Sequence, residues 1–429
     1  MAENGGFDQG GAGGPGIPAR AGARQPSARS RRGLDWFVFF VADVQTGFGA
    51  FVAVFLTTQK WTQVDIGLVL TVSGLVGLIG QMPLGALVDA VRSVRITAAF
   101  ALVVIGVSAF AFAIWPIFPV VFASRVLHAA ASIVLSFCIV SLSLGLVGGA
   151  GMSERLGRNA AFASAGTGIA AAVMGLCGLY VSSRAVFLLA AALVVPALFA
   201  LSRIRAGEIR ATASFHQESA EPKALAAGLK ALTRNRTLVV FAVCIATFHL
   251  ANAAMMPLAA SMVTLRSSQA ATAMVAAAMI VPQLTVTFLS PWIGRGAQRW
   301  GRRPFLAIGF AALALRALLF AMTGQPHLLV VFQVLDGVSA AVLGVLVPLT
   351  VADVTRRSGH FNLAQGVVGS AMGLGASVST VLGGFMADNF GSYAAFMMLA
   401  AIATVGLALL MLTMPETKPE TEPTPEARP

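Results

Sequence analysis

Residues 85–95 read GALVDAVRSVR and residues 294–304 read GRGAQRWGRRP. Both stretches follow a long apolar run, open on glycine and carry arginine toward their ends. Their first glycines, Gly85 and Gly294, are about 209 positions apart, and other pairs repeat at nearly the same spacing. FFVAD from Phe39 corresponds to FHLAN from Phe248, which pairs Asp43 with Asn252. RVLHA from Arg125 corresponds to QVLDG from Gln333, which pairs Arg125 with Gln333 and His128 with Asp336. Three weak matches at nearly one displacement indicate a duplicated chain with two halves in the same order.

What is duplicated follows from composition. The chain has 429 residues, of which 57% are hydrophobic and only 11% charged. A soluble domain carries about 25% charge, so this chain is not a soluble globule. Apolar runs of about 20 residues, enough to cross a bilayer core of about 30 Å, recur along it. The strict alternation of a membrane barrel is absent. Twelve spans are predicted: 36–58, 64–88, 95–115, 118–148, 159–181 and 185–203, then 238–263, 271–293, 304–323, 327–352, 363–387 and 391–413. The fold class is therefore an all-α membrane protein of twelve transmembrane helices in two pseudo-symmetric six-helix bundles. The bundles are placed at 35–204 and 237–414. Residues 1–34 and 415–429 are read as disordered tails, and 205–236 as a linker containing KALAAGLKAL, a short helix suited to a membrane surface.

The net charge of +12 tracks one face of the membrane. With the N-terminus inside, all but five of the 29 basic residues fall in the tails, the linker or the loops on that face. The exceptions are Lys60, Arg184 and Arg266 outside, and Arg125 and Arg316 within spans. This skew predicts that both termini are cytoplasmic, in a bacterial inner membrane, and removes the reason to invoke a nucleic acid. All five tryptophans fall near span ends. Cys138, Cys177 and Cys244 lie apart within apolar spans and read as small buried residues, with no metal-ligand spacing. No phosphate-binding loop pattern occurs, which excludes ATP-driven pumping by this chain.

The second loop, Gly294-x3-Gln298-Arg299-Trp300-Gly301-Arg302-Arg303, resembles the signature loop of the major facilitator superfamily. That pattern has an acid where Gln298 stands. The first copy keeps Gly85 and Asp89 but has Ala90 for the basic residue and Arg92 for glycine. Arg125-x-x-His128-Ala129 is similar to a degraded form of the family's fourth-span motif. The resemblance covers residues 35 to 413. It implies a secondary transporter working by alternating access, with Gly85, Asp89, Arg92, Gly294, Arg299, Gly301 and Arg302 forming a cytoplasmic gate. The family's antiporter pattern in span 5 contains Gly-Pro. Here Gly166, Gly168, Gly175 and Gly178 are present without proline.

Ionisable groups within spans cost at least about 2.5–3.5 kcal/mol each to insert, so they are functional candidates. Helical spacing sorts them. Arg125, His128, Ser132 and Ser136 form one stripe, and His249, Asn252 and Met256 another. Gln333, Asp336 and Gly337 share a face, as do Asp43, Gly47 and Ala50, with Gln45 close by. These faces belong to spans 1, 4, 7 and 10, the helices that line the central cavity in the superfamily. Asp43 and Asp336 are the expected proton-coupling groups. Arg125, His128, His249, Asn252, Gln333 and Gln45 are the expected substrate-binding groups. Arg125 is expected to oppose Asp336, and Arg316 to be peripheral or structural. The function expected is proton-coupled export of a small organic molecule or drug, with the bilayer, protons and substrate as partners. The protein is read as a monomer, not an enzyme, with no cofactor and no metal. Rival readings are symport of an anionic metabolite, export of a metal or its chelate, and a membrane scaffold or sensor.

Overall fold

A computed structural model describes residues 26–46, 51–61, 63–209, 222–264, 268–356 and 360–418. Gly47 and Ala50, and most of both tails, lie outside the described residues. Among the described residues every regular element is helical.

The first bundle is built from α1 (Ala28–Thr46), α2 (Phe51–Thr58), α3 (Gln63–Ile79), α4 (Gln81–Ala90), α5 (Val94–Ile114), α6 (Phe118–Tyr180) and α7 (Ser183–Ser202). The linker supplies α8 (Pro222–Arg234). The second bundle comprises α9 (Arg236–Asn252), α10 (Met255–Thr264), α11 (Ser268–Trp300), α12 (Arg303–Met322), α13 (Pro326–Thr355) and α14 (Phe361–Thr413).

Two of these cannot be single spans. α6 has 63 residues, and at 1.5 Å each would run about 95 Å, three times the hydrocarbon thickness. It reverses at Gly148, whose φ of 67° lies in the left-handed region that only glycine enters cheaply. α14, with 53 residues, reverses the same way at Gly391, φ 84°. Counting each as two crossings, and pairing α1 with α2, α3 with α4 and α9 with α10, the chain makes twelve helices across the membrane.

Each bundle holds its own aromatic centre. Phe55, Phe112 and Phe187 meet at ring distances of 4.5–5.4 Å in the first. Phe248 packs on Phe310, and Phe320 on Phe396, in the second. The outer faces are apolar. Ile96, Phe100, Val103, Val107 and Phe110 run down the exposed side of α5 at helical spacing, as lipid contact requires.

The bundles meet along two seams, α4 against α14 and α6 against α11. Between helices in lipid there is little hydrophobic gain, so close packing of small residues supplies the attraction. A side chain on Gly85 would collide with the backbone of Asn362, and one on Gly366 with that of Gln81. Gly157 and Gly294 pack backbone to backbone at the other seam, where the Ser153 hydroxyl donates to the Gly294 carbonyl. Both seams lie at the end of the molecule that carries the first and last described residues and most of the described arginines, called the basic end below. The far end is open: α2 and α10, the outer halves of spans 1 and 7, make their main contacts only with helices of their own bundle.

Candidate functional site

Where the seams stop, a cavity begins. It has two lobes of about 450 and about 560 Å³, which share Ser136 of α6 and Asp336, Ala340, Gly344 and Pro348 of α13. The first lobe is bounded by Ala42 and Gln45 of α1, Asn159 and Ser164 of α6, and Gln283 of α11. The second is bounded by Phe248, His249 and Asn252 of α9 and Met372 of α14. Mostly apolar walls with a few convergent polar groups are the composition of a small-molecule site. Of the residues lining the two lobes, only Asp336 and His249 carry ionisable side chains. The His249 Nδ1 lies 3.0 Å from the Ile245 carbonyl, one turn back on its own helix.

The Asp336 carboxylate is 26% exposed toward the cavity. Its partner is Arg316 of α12, whose side chain is 2% exposed, behind the wall. All five N–H groups of this guanidinium have acceptors. Nη1 donates to Asp336 and, at 3.3 Å, to Oε1 of Gln333. Nη2 donates to Oδ1 of Asn252 and, at 3.2 Å, to the Met255 sulfur, which also receives Nε at 3.4 Å. The Phe320 ring lies 5.8 Å below the cation. Removing one partner of a buried pair costs about 3–5 kcal/mol, and the lower end applies where one partner is partly wet.

Arg316 thus takes the position expected of Arg125. Arg125 is buried in the first bundle, 8% exposed, with Nε donating to the Ser73 hydroxyl of α3 at 2.9 Å. His128 is equally buried, and neither lines the cavity lobes. Their stripe turns into the α3–α6 contact, because α3 crosses α6 at that level. Only Ser136, at its inner end, reaches the cavity. Ser132 accepts from Gln45 Nε2 at 3.5 Å through its carbonyl.

Asp43 also lies behind the wall. Its neighbours Ala42 and Gln45 line the cavity, but Asp43 itself points to Gly166 on α6, where an added Cβ would come 3.0 Å from Oδ1. It is 4% exposed. Gln333, 1% exposed, likewise serves Arg316 rather than the cavity.

The gate residues divide. Asp89 accepts from Asn362 N–H at 3.2 Å, Asn362 Nδ2 at 2.7 Å and Leu363 N–H at 3.0 Å. It therefore caps the first turn of α14 from the opposite bundle, where a helix dipole favours negative charge. Gln298, in the equivalent place, is exposed, and among the described residues the second seam shows no such cap. Gly301 has φ 97°, the left-handed turn that ends α11. Arg92 holds that place in the first loop without a left-handed backbone, because Val91 is extended and Ser93 caps α5. Arg302 is buried and pairs with Asp353 at 2.9 Å, while Arg92 and Arg299 are exposed. The Arg299 guanidinium lies 5.5 Å over Trp300.

Two polar clusters were not anticipated. Asp35, buried in α1, binds Arg155 at 2.6 Å and Arg158 at 2.7 Å, and Arg155 passes the chain to Asn159 and Ser143. Glu416 accepts from the N–H groups of Arg302 and Arg303 and so caps α12. Burial alone would raise this carboxyl, but backbone N–H groups of Arg302, Lys418, Arg303 and Thr417 outweigh it and hold it below the usual glutamate range. Among the described residues no three His, Cys, Asp or Glu side chains gather as a metal site.

Comparison with known proteins agrees with this architecture. The sequence profile of the Major Facilitator Superfamily matches residues 36–281 and 241–429. An uncharacterized MFS-type transporter of Mycobacterium tuberculosis is 35% identical over 398 residues, covering 91% of this chain and 94% of its own. The class B tetracycline resistance protein of Escherichia coli is 29% identical over 135 residues, 32% of this chain and 33% of its own. Among solved structures, the transporter FucP in the outward conformation superposes with a TM-score of 0.72 at 16% identity, covering 89% of this chain and 97% of that one.

Proposed function

The chain belongs to the Major Facilitator Superfamily, and from that premise we propose that it is a proton-coupled secondary transporter exporting a small organic molecule. One observation carries the reading. A single carboxylate, Asp336, stands in the wall of a cavity that is sealed at one end and open at the other, with its counter-ion buried behind it. Such a carboxylate can be charged or neutral without rearranging the whole cavity, which is what coupling to protons requires.

The arginine skew sets the basic end on the cytoplasmic side of a bacterial plasma membrane. The sealed seams then face the cytoplasm, and the cavity faces outward. In this state Asp336 takes a proton from outside after the substrate has left. The neutral form permits the return to the inward state, where the proton is lost and substrate enters. The partial likeness to a tetracycline resistance protein supports the outward direction. Import of an anion would call for Arg125 and His128 in the cavity wall, and both are buried at the α3–α6 contact.

The test is uptake into proteoliposomes under an imposed pH gradient, using tetracycline and cationic and neutral dyes as probes. Antiport drives probe into vesicles that are acidic inside. Accumulation in vesicles that are alkaline inside would show symport and overturn the reading, and so would flux indifferent to the gradient.

A further inference from the structure

The Arg316 network reaches a place that the transport reading does not use. Span 7 is interrupted without a sharp bend: α9 ends at Asn252, α10 begins at Met255, and Ala253 and Ala254 form the two-residue break between them. The break is built into the fold, because the Ala254 N–H that it frees is taken by the Ser379 hydroxyl of α14 at 3.0 Å. Arg316 grips both sides of it, through Asn252 Oδ1 and the Met255 sulfur. The same guanidinium holds Asp336 and Gln333 of α13.

We propose that Arg316 is a positioning residue that transmits the charge of Asp336 to the break in span 7. The physics is a competition for one cation. Arg316 lies between two negative partners, the Asp336 carboxylate and the C-terminal end of α9, whose last carbonyls carry the negative end of the helix dipole. While Asp336 is charged, the carboxylate dominates and the guanidinium is held to α13. When Asp336 is neutral, a buried cation that cannot lose its own proton is left with the end of α9 and neutral amide acceptors. It moves toward α9, its bonds to Asn252 and Met255 tighten or re-form, and the angle of the break changes. α10, the outer half of span 7, moves with it.

Other charges near Asp336 are few. Arg316 comes from α12 and His249 from α9. The cavity-lining residues of α6, α11 and α14 that share the two lobes with it carry no charge. His249 is therefore the competing explanation for any pH response, and it is one that a variant can remove.

This inference rests on Asp336 as the proton site of the proposed transport cycle, and the experiment separates the two. Backbone hydrogen–deuterium exchange of residues 252–264 is followed in the full-length protein in nanodiscs, from pH about 5.5 to about 8.5, with intrinsic rates normalised. The wild type is expected to change its protection of this segment about threefold or more across that range. Asp336→Asn holds the segment at its low-pH level throughout, and His249→Gln keeps the wild-type response. Asn252→Ala and Arg316→Lys flatten it, because the tie to the break is cut or a single ammonium cannot span both helices. A wild-type response surviving intact in Asp336→Asn or in Asn252→Ala overturns the proposal. Should Arg316→Lys fail to fold, Asn252→Ala decides alone. Gradient-driven flux is measured on the same preparations. Exchange that responds without proton-driven flux sinks the transport reading and leaves the linkage standing. Proton-driven flux with an unresponsive segment sinks the linkage only.

Discussion

The two bundles place their buried charges at different depths. The first keeps its strongest cluster, Asp35 with Arg155 and Arg158, at the basic end, where water and headgroups are near. The second carries an ion pair, Arg316 with Asp336, beside the cavity in the middle of its helices. Asp43, the acid that the first bundle places within a span, faces the backbone at Gly166 and not the cavity. One bundle thus places an ion pair at the cavity wall, while the other puts its polar links at the closed end. The seams show the same asymmetry. Both pack through glycines, but one adds a carboxylate on a helix terminus and the other a serine hydroxyl.

The sharpest way to break this comparison is at the two acids. We predict that Asp336→Asn lowers proton-driven flux by about a hundredfold or more, because coupling is lost outright and Arg316 loses its counter-ion. Asp43→Asn should lower it by less than about tenfold. Flux assays on both variants decide, and equal losses would abolish the distinction between the bundles. Next comes the packed seam. Gly157→Val forces a branched side chain into the Ser290 carbonyl and the Gly294 Cα, at a cost of about 3 kcal/mol to the sealed state. Alkylation of a cysteine introduced at Ala160, applied from the basic end, should rise by about a hundredfold. The charged seam should yield less. Asp89→Asn keeps an acceptor but loses the charge on the α14 terminus, about 1–2 kcal/mol, so the same assay should rise by about five- to thirtyfold. The smallest effect lies outside the membrane. Glu416 is held below its ordinary range in the folded protein, so its stabilisation is present above the unfolded value and is lost as pH falls through the folded one. Because this group is largely solvated, Glu416→Gln should cost about 0.5 kcal/mol at neutral pH and nothing in acid, read as a shift in Tm.

Much of the fold was legible because membrane spans declare themselves by length and composition. The linker helix α8 was readable from KALAAGLKAL, since its apolar residues recur at helical spacing. The break at Ala253 and Ala254 was not, because alanine carries no signal of a turn and the hydrogen bond that supports it comes from Ser379, more than a hundred residues away. Asn252, His249 and Asp336 were placed on one side of their spans by helical spacing, and they line the cavity, whereas on span 1 the spacing chose the face of Asp43 and it is Gln45 that lines the cavity. Arg125 and His128 share a stripe with Ser136, but a stripe only says that residues face one way, and α3 intercepts the outer part of it. Arg316 was set aside because the family's ninth span lies outside the cavity. A better signal was present. Arg316 and Asp336 sit on consecutive antiparallel helices joined by a three-residue turn, at depths that differ by only about 6 Å, within the reach of an arginine side chain.

The Asp89 cap has a consequence for how the protein opens. The first turn of α14 borrows an acceptor from the other bundle, so parting the seam strips two backbone N–H groups of their partner at once. Only solvent can replace it, and therefore the sealed end must admit water as it parts. Entry from that side begins with wetting, and agents that lower water activity should slow it more than they slow events at the opposite mouth.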